Sequence, residues 1–271
     1  MKVVWAAELG TARLLELFNA GFSDYLVPLK LDEAALRTHL RENDIALDRS
    51  PVALTHAPVA FALLGVRGGD GWIGGMATVP AQRRNGLARQ MLDAAIESAA
   101  EAGCTTVWLE VVDRNAAAVA LYRGRGFAQV RDLVVWSLPA VAAGDDGARE
   151  VGEREAHTWI AAHRDGREPW QRADGTLERL REAGAALRGL VVERSGGVVG
   201  AVVYRDATTV SVLQLAAADD EAAAALLSVA ANGRDLHVTN APADGRVSRV
   251  LAERGASAIA GQHEMRLDLR A

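Results

Sequence analysis

A chain of 271 residues, half of them apolar and 24% charged, is long enough for two domains with separate cores and too apolar for wholesale disorder. Its net charge of −5 argues against nucleic acid or an anionic membrane as a partner across the whole surface, though not against a local basic site. Its one cysteine, Cys104, excludes an internal disulfide framework, no apolar run approaches the ~20 residues of a membrane helix, and Glu8 interrupts an N-terminal stretch too short for a signal peptide, so a cytoplasmic location is expected.

Residues 2–7 read as a short strand, and 10–20 and 32–42 as helices with apolar residues three and four apart. PVAFALLGVR (58–67) and GWIGGMATV (71–79) read as strands about a glycine-rich hairpin turn. Residues 86–102 carry the strongest helical pattern, with Leu87, Met91, Leu92, Ala95 and Ile96 on one face and Gly103 to stop it. TTVWLEVV (105–112) is a strand, Asn115 opens a helix that ends near Gly126, and residues 127–138 return as a strand.

PAVAAGDDGARE (139–150) has linker composition and separates residues 1–138 from 151–271. The second part repeats the order more weakly. Residues 187–205 are two strands about a Ser-Gly-Gly turn; VSVLQLA is a strand, DDEAAAALLSVAA a helix, DLHVTN a strand, VSRVLAERGA a helix and QHEMRLDL a final strand. Gly126 matches Gly255 and Leu138 matches Leu267 at one constant offset, which points to an internal duplication; chance likeness of two α/β halves is the other reading. The stretch from Leu215 to Leu236 is shorter than that from Val79 to Leu109, and it lacks a counterpart of PAQRRNGLA.

That missing piece carries the chemistry. A helix N-terminus has unpaired N–H groups and a partial positive charge. In VPAQRRNGLARQ (79–90), Gly86 lets backbone approach a ligand, and Arg83, Arg84 and Arg89 add mobile positive charge. Together these favour a phosphate or pyrophosphate; a solvated basic turn is the plainer reading. No GxxxxGK[ST] is present, and GVRGGDG is neither GxGxxG nor followed by a helix, so the usual nucleotide loops are unsupported.

The turn also sits in a longer succession. Arg83 to Ala88 fits R-x-x-G-x-G/A, after a strand ending V-x-P and at the start of a helix. A strand with LEV follows, then N-x-x-A-x-x-L-Y from Asn115 to Tyr122, then GF. This succession, residues 71–136, resembles the GNAT superfamily of acyl-CoA-dependent N-acetyltransferases. FNAGFSDYLVPL looks like the amino-terminal part of such a domain, so the resemblance covers about residues 1–138. Residues 151–271 resemble a degenerate copy, as in tandem acetyltransferases with one active and one decayed domain.

The resemblance implies an α/β fold of two GNAT-like domains, each a mixed, mostly antiparallel sheet flanked by helices. It implies acetyl-CoA as acyl donor and no metal. Backbone of Ala77, Thr78 and Val79 would run beside the pantetheine arm, with the Val79 N–H aimed at the acetyl carbonyl. N–H groups of Arg84, Asn85, Gly86, Leu87, Ala88 and Arg89 would hold the pyrophosphate. Asn115 would contact the cofactor near its thioester, and Tyr122 would protonate the departing thiolate. Seven apart, these two face one side of a helix. The residues alone leave Asn115 open as a helix cap and Tyr122 as a core aromatic. Glu110 is the first candidate general base, directly or through water, with a salt-bridged strand residue as the plain alternative. Asp24 and Tyr25 either line the acceptor pocket or form a helix-ending turn before Pro28.

The six histidines lack metal-ligand spacing and read as structural or surface residues, and Cys104 has no evident histidine partner. Trp170, in REPWQR, looks exposed between basic residues; it either shapes a pocket or packs. The expected activity is acetyl transfer to a primary amine, small-molecule or peptide, by direct attack through a tetrahedral intermediate. One donor per chain, bound in the first domain, and a monomer or homodimer without nucleic acid or membrane are expected. The competing readings are a non-catalytic acyl-CoA-binding sensor or interaction module, and a purely structural α/β protein.

Overall fold

The computed structural model describes residues 1–26, 29–140 and 147–269. Val27 and Pro28 of FNAGFSDYLVPL and residues 141–146 of the linker stretch lie outside the described residues. By its internal contacts the chain forms two compact units, Met1–Val130 with His263–Ala271, and Arg131–Gln262.

The first unit is built from β1 (Lys2–Trp5), α1 (Gly10–Gly21), α2 (Glu33–Glu42), β2 (Pro51–Leu54), β3 (Pro58–Arg67), β4 (Asp70–Thr78), α3 (Leu87–Glu101), β5 (Thr106–Val112) and α4 (Ala116–Arg123). Strand β6 (Ala128–Leu138) leads into the second unit. There follow β7 (Ala148–Val151), α5 (Glu153–His163), α6 (Asp174–Glu182), β8 (Leu187–Arg194), β9 (Gly197–Arg205), β10 (Val210–Ala217), α7 (Asp220–Ala231), β11 (Leu236–Pro242), α8 (Arg246–Glu253) and β12 (Ser257–Asp268). Counted in helices and strands, the order β-α-α-β-β-β-α-β-α-β occurs twice.

Strand order in the first unit is β1-β2-β3-β4-β5, with the far end of β12 beside β5; in the second it is β6-β11-β10-β9-β8-β7. Of the pairs β1–β2, β2–β3, β3–β4 and β4–β5 only the last runs parallel, and of β6–β11, β11–β10, β10–β9, β9–β8 and β8–β7 only β11–β10 does. Each unit is therefore a mixed, mostly antiparallel sheet with helices on both faces, as the sequence leads one to expect.

Strand β3 reads as nearly continuous apolar sequence because both its faces are covered. Ala60, Ala62 and Leu64 pack with Met91, Leu92 and Ala95 of α3, while Phe61 and Leu63 pack with Leu14, Leu17 and Phe18 of α1 and Leu36 of α2. Burying each Leu stabilises the fold by roughly 1.5–3 kcal/mol. In the second unit Ala156, Ile160, Leu177 and Leu180 cover one face, and Leu226, Leu227 and Leu251 the other.

Four local differences from the sequence reading have physical causes. Strand β2 and helices α5 and α6 were not anticipated: β2 is a four-residue run, and α5 buries only Ala156 and Ile160. Linker composition runs through residue 150, yet Ala148–Val151 pair antiparallel with β8, because ladder bonding needs backbone rather than apolar period. The end of β12, written as a strand of the second half, lies in the first unit, where Met265 joins the core of Met91 and Leu109 and the Leu269 N–H donates to Thr105 O at 2.8 Å. Trp170 is not exposed but 2% accessible, in a 3-10 turn over Trp170–Arg172.

Candidate active site

Helix α3 begins in an unusual way. Arg84 (φ 65°) and Gly86 (φ 76°) both hold left-handed backbone, and Gly86 is the N-cap residue, with no side chain capping the helix. A left-handed Gly costs nothing sterically, whereas a cap without an oxygen leaves the first N–H groups of the helix facing outward. Arg84, Asn85 and Arg89 are exposed around them. These groups and the helix dipole suit an anion. Arg83 is different: its guanidinium donates to Asp24 at 2.6 and 2.8 Å and to the carbonyls of Thr78 (3.1 Å) and Gly21 (3.3 Å). It is not mobile charge.

Immediately before this turn, β4 and β5 separate. Their parallel pairing runs from Asp70↔Thr106 to Ile73↔Leu109 and goes no further. The β3–β4 ladder shifts register between Leu63 and Leu64, so Gly74 is an extra residue in β4 just where the strands part. Beyond it, Val79 N–H donates to Val59 O at 2.9 Å. This corrects the expectation that the Val79 N–H points at a ligand. Antiparallel bonding alternates, so Ala77 and Gly75 also turn toward β3, and Met76 and Thr78 turn their backbone groups toward the gap left by β5. The Arg83–Thr78 carbonyl bond agrees with that direction. Thr78 Oγ1 is buried and has no hydrogen-bond partner among the described residues. An outward-facing helix start, an open strand pair and a buried hydroxyl without a partner among the described residues leave polar groups free for an anionic ligand.

Three polar side chains, Asn115, Tyr25 and Tyr122, lie near one another. Asn115 caps α4, its Oδ1 accepting from the Ala118 N–H at 3.2 Å, and it lies beside Tyr25. Tyr25 lies close enough to Tyr122 to affect it electrostatically. Burial, first, and the Tyr25 neighbour push the Tyr122 phenol above its ordinary value; burial also raises the pKa of Tyr25, against the lowering by Asn115. Both phenols are therefore protonated at neutral pH. Tyr122 packs edge-on to Phe127 at 5.9 Å, so it is a core aromatic, with Tyr25 as a polar neighbour.

Glu110 is the first residue of β5 past the parallel pairing. It is half-buried, and its Oε2 accepts the indole N–H of Trp72 at 2.8 Å. Trp72 in turn lies 6.2 Å, ring to ring, from His39 of α2. Burial lowers the His39 pKa, against a bond with the Gly74 backbone, so the imidazole is neutral near pH 7. Trp72, Met76 and His39 were not singled out in the sequence. Their roles depend on strand register and on which helix covers which face, and neither leaves a mark in local pattern. Asp24, predicted on the acceptor side, is tied to Arg83, whose hydrogen bond holds its carboxyl below the usual range.

The second unit retains the gap but fills it. Strands β10 and β11 pair only over Val210↔Leu236 to Val212↔Val238, and β10 shifts register against β9 between Val212 and Gln214. The turn Trp170–Arg172 enters there. Arg172 Nε donates to Leu213 O of β10 (2.8 Å), Gln214 Nε2 to Arg172 O (2.7 Å), and Asn240 Nδ2 of β11 to Gln171 Oε1 (3.0 Å). Helix α7 is capped by its own Asp219, which accepts from the Ala222 N–H at 2.9 Å, and Asp220 beside it holds Arg246 and Arg249. The helix start that has no side-chain cap in α3 is, in α7, filled by the Asp219 carboxylate.

Residues 12–127 match the family model of the Acetyltransferase (GNAT) family. A stretch of 68 residues, 25% of the chain, is 40% identical to the [ribosomal protein bS18]-alanine N-acetyltransferase of Escherichia coli K12 and spans 46% of that protein's length, so the chain matches about half of this curated relative. Among solved structures, a GCN5-related N-acetyltransferase from Sphaerobacter thermophilus is similar over 100% of this chain and 96% of its own, with TM-score 0.75 at 14% identity. A tandem GNAT protein from the clavulanic acid biosynthesis pathway is similar over 98% of each chain, with TM-score 0.67 at 13% identity. At these identities the two structures speak to the fold.

Proposed function

We propose that the first unit, whose residues 12–127 match the family model of the Acetyltransferase (GNAT) family, moves an acetyl group from acetyl-CoA to a primary amine by direct attack. The observation that carries this reading is the uncapped, doubly left-handed start of α3 next to the point where β4 and β5 part. Acetyl-CoA supplies the acetyl thioester; the chain supplies the rest.

The N–H groups of Gly86, Leu87, Ala88 and Arg89, with Arg84 and Asn85, hold the pyrophosphate against the helix dipole. The Met76 and Thr78 N–H groups, turned into the gap, take the place first assigned to Val79 as donors to the acyl oxygen, with Ala77 and Val79 serving to fix them against β3. Glu110 accepts the proton of the attacking amine, and the Trp72 indole keeps its carboxylate aimed. Tyr122 gives a proton to the leaving sulfur, and Asn115 holds the start of α4 beside Tyr25. Positioning and fixed dipoles carry most of the rate.

The acceptor is a primary amine. The name of the Escherichia coli relative makes a peptide α-amine one candidate, alongside small-molecule amines. The second unit binds no donor in this reading, because its gap and its helix start are filled from within.

The test is CoA release over an amine panel that includes alanine-terminated peptides, with acetyl-CoA binding followed by calorimetry. Tyr122→Phe is expected to lower turnover by about a hundredfold and leave acetyl-CoA affinity unchanged. Clean folded protein that binds no acetyl-CoA overturns the proposal; binding without turnover on any amine favours a sensor.

A further inference from the structure

We propose that Arg83 is a positioning residue for the acceptor side of the site and not a ligand of the donor's phosphates; this rests on the donor reading above. In sequence Arg83 is the first of three arginines in an anion-binding turn. In the structure its fork is committed elsewhere. Nη1 and Nη2 grip the two oxygens of Asp24 at 2.8 and 2.6 Å, Nη2 also reaches Gly21 O at 3.3 Å, and Nε reaches Thr78 O at 3.1 Å. A planar guanidinium matched two-to-two with a carboxylate is a pre-organised pair that a phosphate would have to displace. Arg83 is exposed like Arg84 and Arg89, so it is these bonds, not burial, that set it apart in the turn.

The four bonds have a common geometry. Thr78 is the last residue of β4, beyond the point where β4 has left β5. Gly21 is the last residue of α1, and Asp24 belongs to the loop that follows. Helix α1 is seated directly on β4 here: a Cβ on Gly21 would fall 2.7 Å from Ala77 Cβ, so only glycine allows the approach. That seating brings the carbonyl at the negative end of α1 within reach of Arg83. One residue past Asp24 is Tyr25, which stacks edge-on with Phe22 at 5.1 Å and lies beside Asn115. The sequence of contacts Arg83–Asp24, then Tyr25–Asn115, runs from the donor turn to the tyrosines beside the reacting centre. Arg83 thus sets where the Tyr25 wall stands relative to the end of β4, which is where an incoming amine must fit.

Kinetics separate the two roles. Arg83→Ala is expected to raise KM for an alanine-terminated peptide by about tenfold and to lower kcat, with the acetyl-CoA Kd within about twofold of wild type; Arg84→Ala with Arg89→Ala is expected to do the reverse. Asp24→Asn should reproduce Arg83→Ala, the double variant should be no worse than either alone, and Arg83→Lys should recover part of the loss. A second measurement does not depend on turnover. The chain has three tyrosines, and Tyr122 (7% accessible) and Tyr204 (5%) are buried while Tyr25 is half-buried. Nitration by tetranitromethane, mapped by mass spectrometry, should accelerate several-fold at Tyr25 in Arg83→Ala and Asp24→Asn, and stay constant at Tyr204 and in Arg84→Ala. If Arg83→Ala instead weakens acetyl-CoA by tenfold or more and leaves peptide KM and Tyr25 nitration unchanged, Arg83 is a phosphate ligand and the proposal falls. Wild-type protein that binds no acetyl-CoA removes the donor reading, and Tyr25 nitration then decides the positioning role alone.

Discussion

Trp72 donates its indole N–H to Glu110 Oε2 at 2.8 Å, across the place where two parallel strands stop pairing. The bond joins the last shared stretch of β4 to the first unshared residue of β5. A hydrogen bond to a carboxylate is worth about 1.5–3 kcal/mol, so losing it is expected to matter to any proton transfer at Glu110. Trp72→Phe should reduce turnover by about tenfold or more with little change in acetyl-CoA Kd, read as CoA release against amine concentration. Equal losses in donor affinity and turnover would show that Trp72 merely supports the strands.

The start of α3 is open to a direct backbone test. Gly86 sits at φ 76°, where an L-residue costs about 1–2 kcal/mol, and no atom lies closer than 3.9 Å to the Cβ it would gain. Gly86→Ala is therefore expected to lower stability by about 1 kcal/mol through backbone strain alone, seen in urea denaturation. As the turn relaxes toward negative φ, its N–H groups lose their common aim, and the acetyl-CoA Kd should rise several-fold by calorimetry.

In the second unit the corresponding test concerns a buried cation. Arg172 is 3% accessible, bonded to Leu213 O at 2.8 Å and 3.4 Å from Glu168 Oε2. Removing one member of such a pair leaves the other charge buried, at a cost of about 3–5 kcal/mol. Arg172→Ala should lower the melting temperature clearly. Calorimetry should still count one acetyl-CoA per chain, because Asp219 continues to cap α7. A second acetyl-CoA site in the variant or the wild type would contradict the filled-gap reading.

Acid should weaken the first unit through His39. Burial depresses its pKa below the ordinary value of 6.5, so the folded state binds the proton less readily than the unfolded chain. The stability that the neutral imidazole contributes is complete above pH 6.5 and is lost as pH falls through the depressed folded value. His237 shifts in the same direction for the same cause. His39→Gln should flatten part of the fall in denaturation midpoint between neutral and mildly acid pH. An unchanged slope would mean that His39 gains protons equally in both states.

The pattern of elements was largely legible. Apolar runs about a glycine-rich turn marked β3 and β4, the apolar face of Leu87, Met91, Leu92 and Ala95 marked α3, and Asn115 announced the α4 cap it makes. The turn at 83–89 could be read because its chemistry is local: a helix start, a glycine and charge within seven residues. Arg83 shows the limit of that reading. Its residue type suggested a phosphate contact, but its partner Asp24 stands 59 positions away.

Sequence alone carried most of the alternation of strands and helices, the outline of its repetition and the basic, glycine-containing helix start at 83–89, since each depends on residues that are neighbours along the chain. Tertiary structure decided the rest. It decided that Met76 and Thr78, not Val79, face the gap, because ladder bonding alternates from a register that only β3 sets. It decided that Trp72 meets Glu110 and Tyr25 meets Asn115, because side chains far apart in sequence meet only when sheets and helices pack. It decided as well that the second unit closes its own gap, because Arg172 reaches Leu213 only through the folded path of the chain between them.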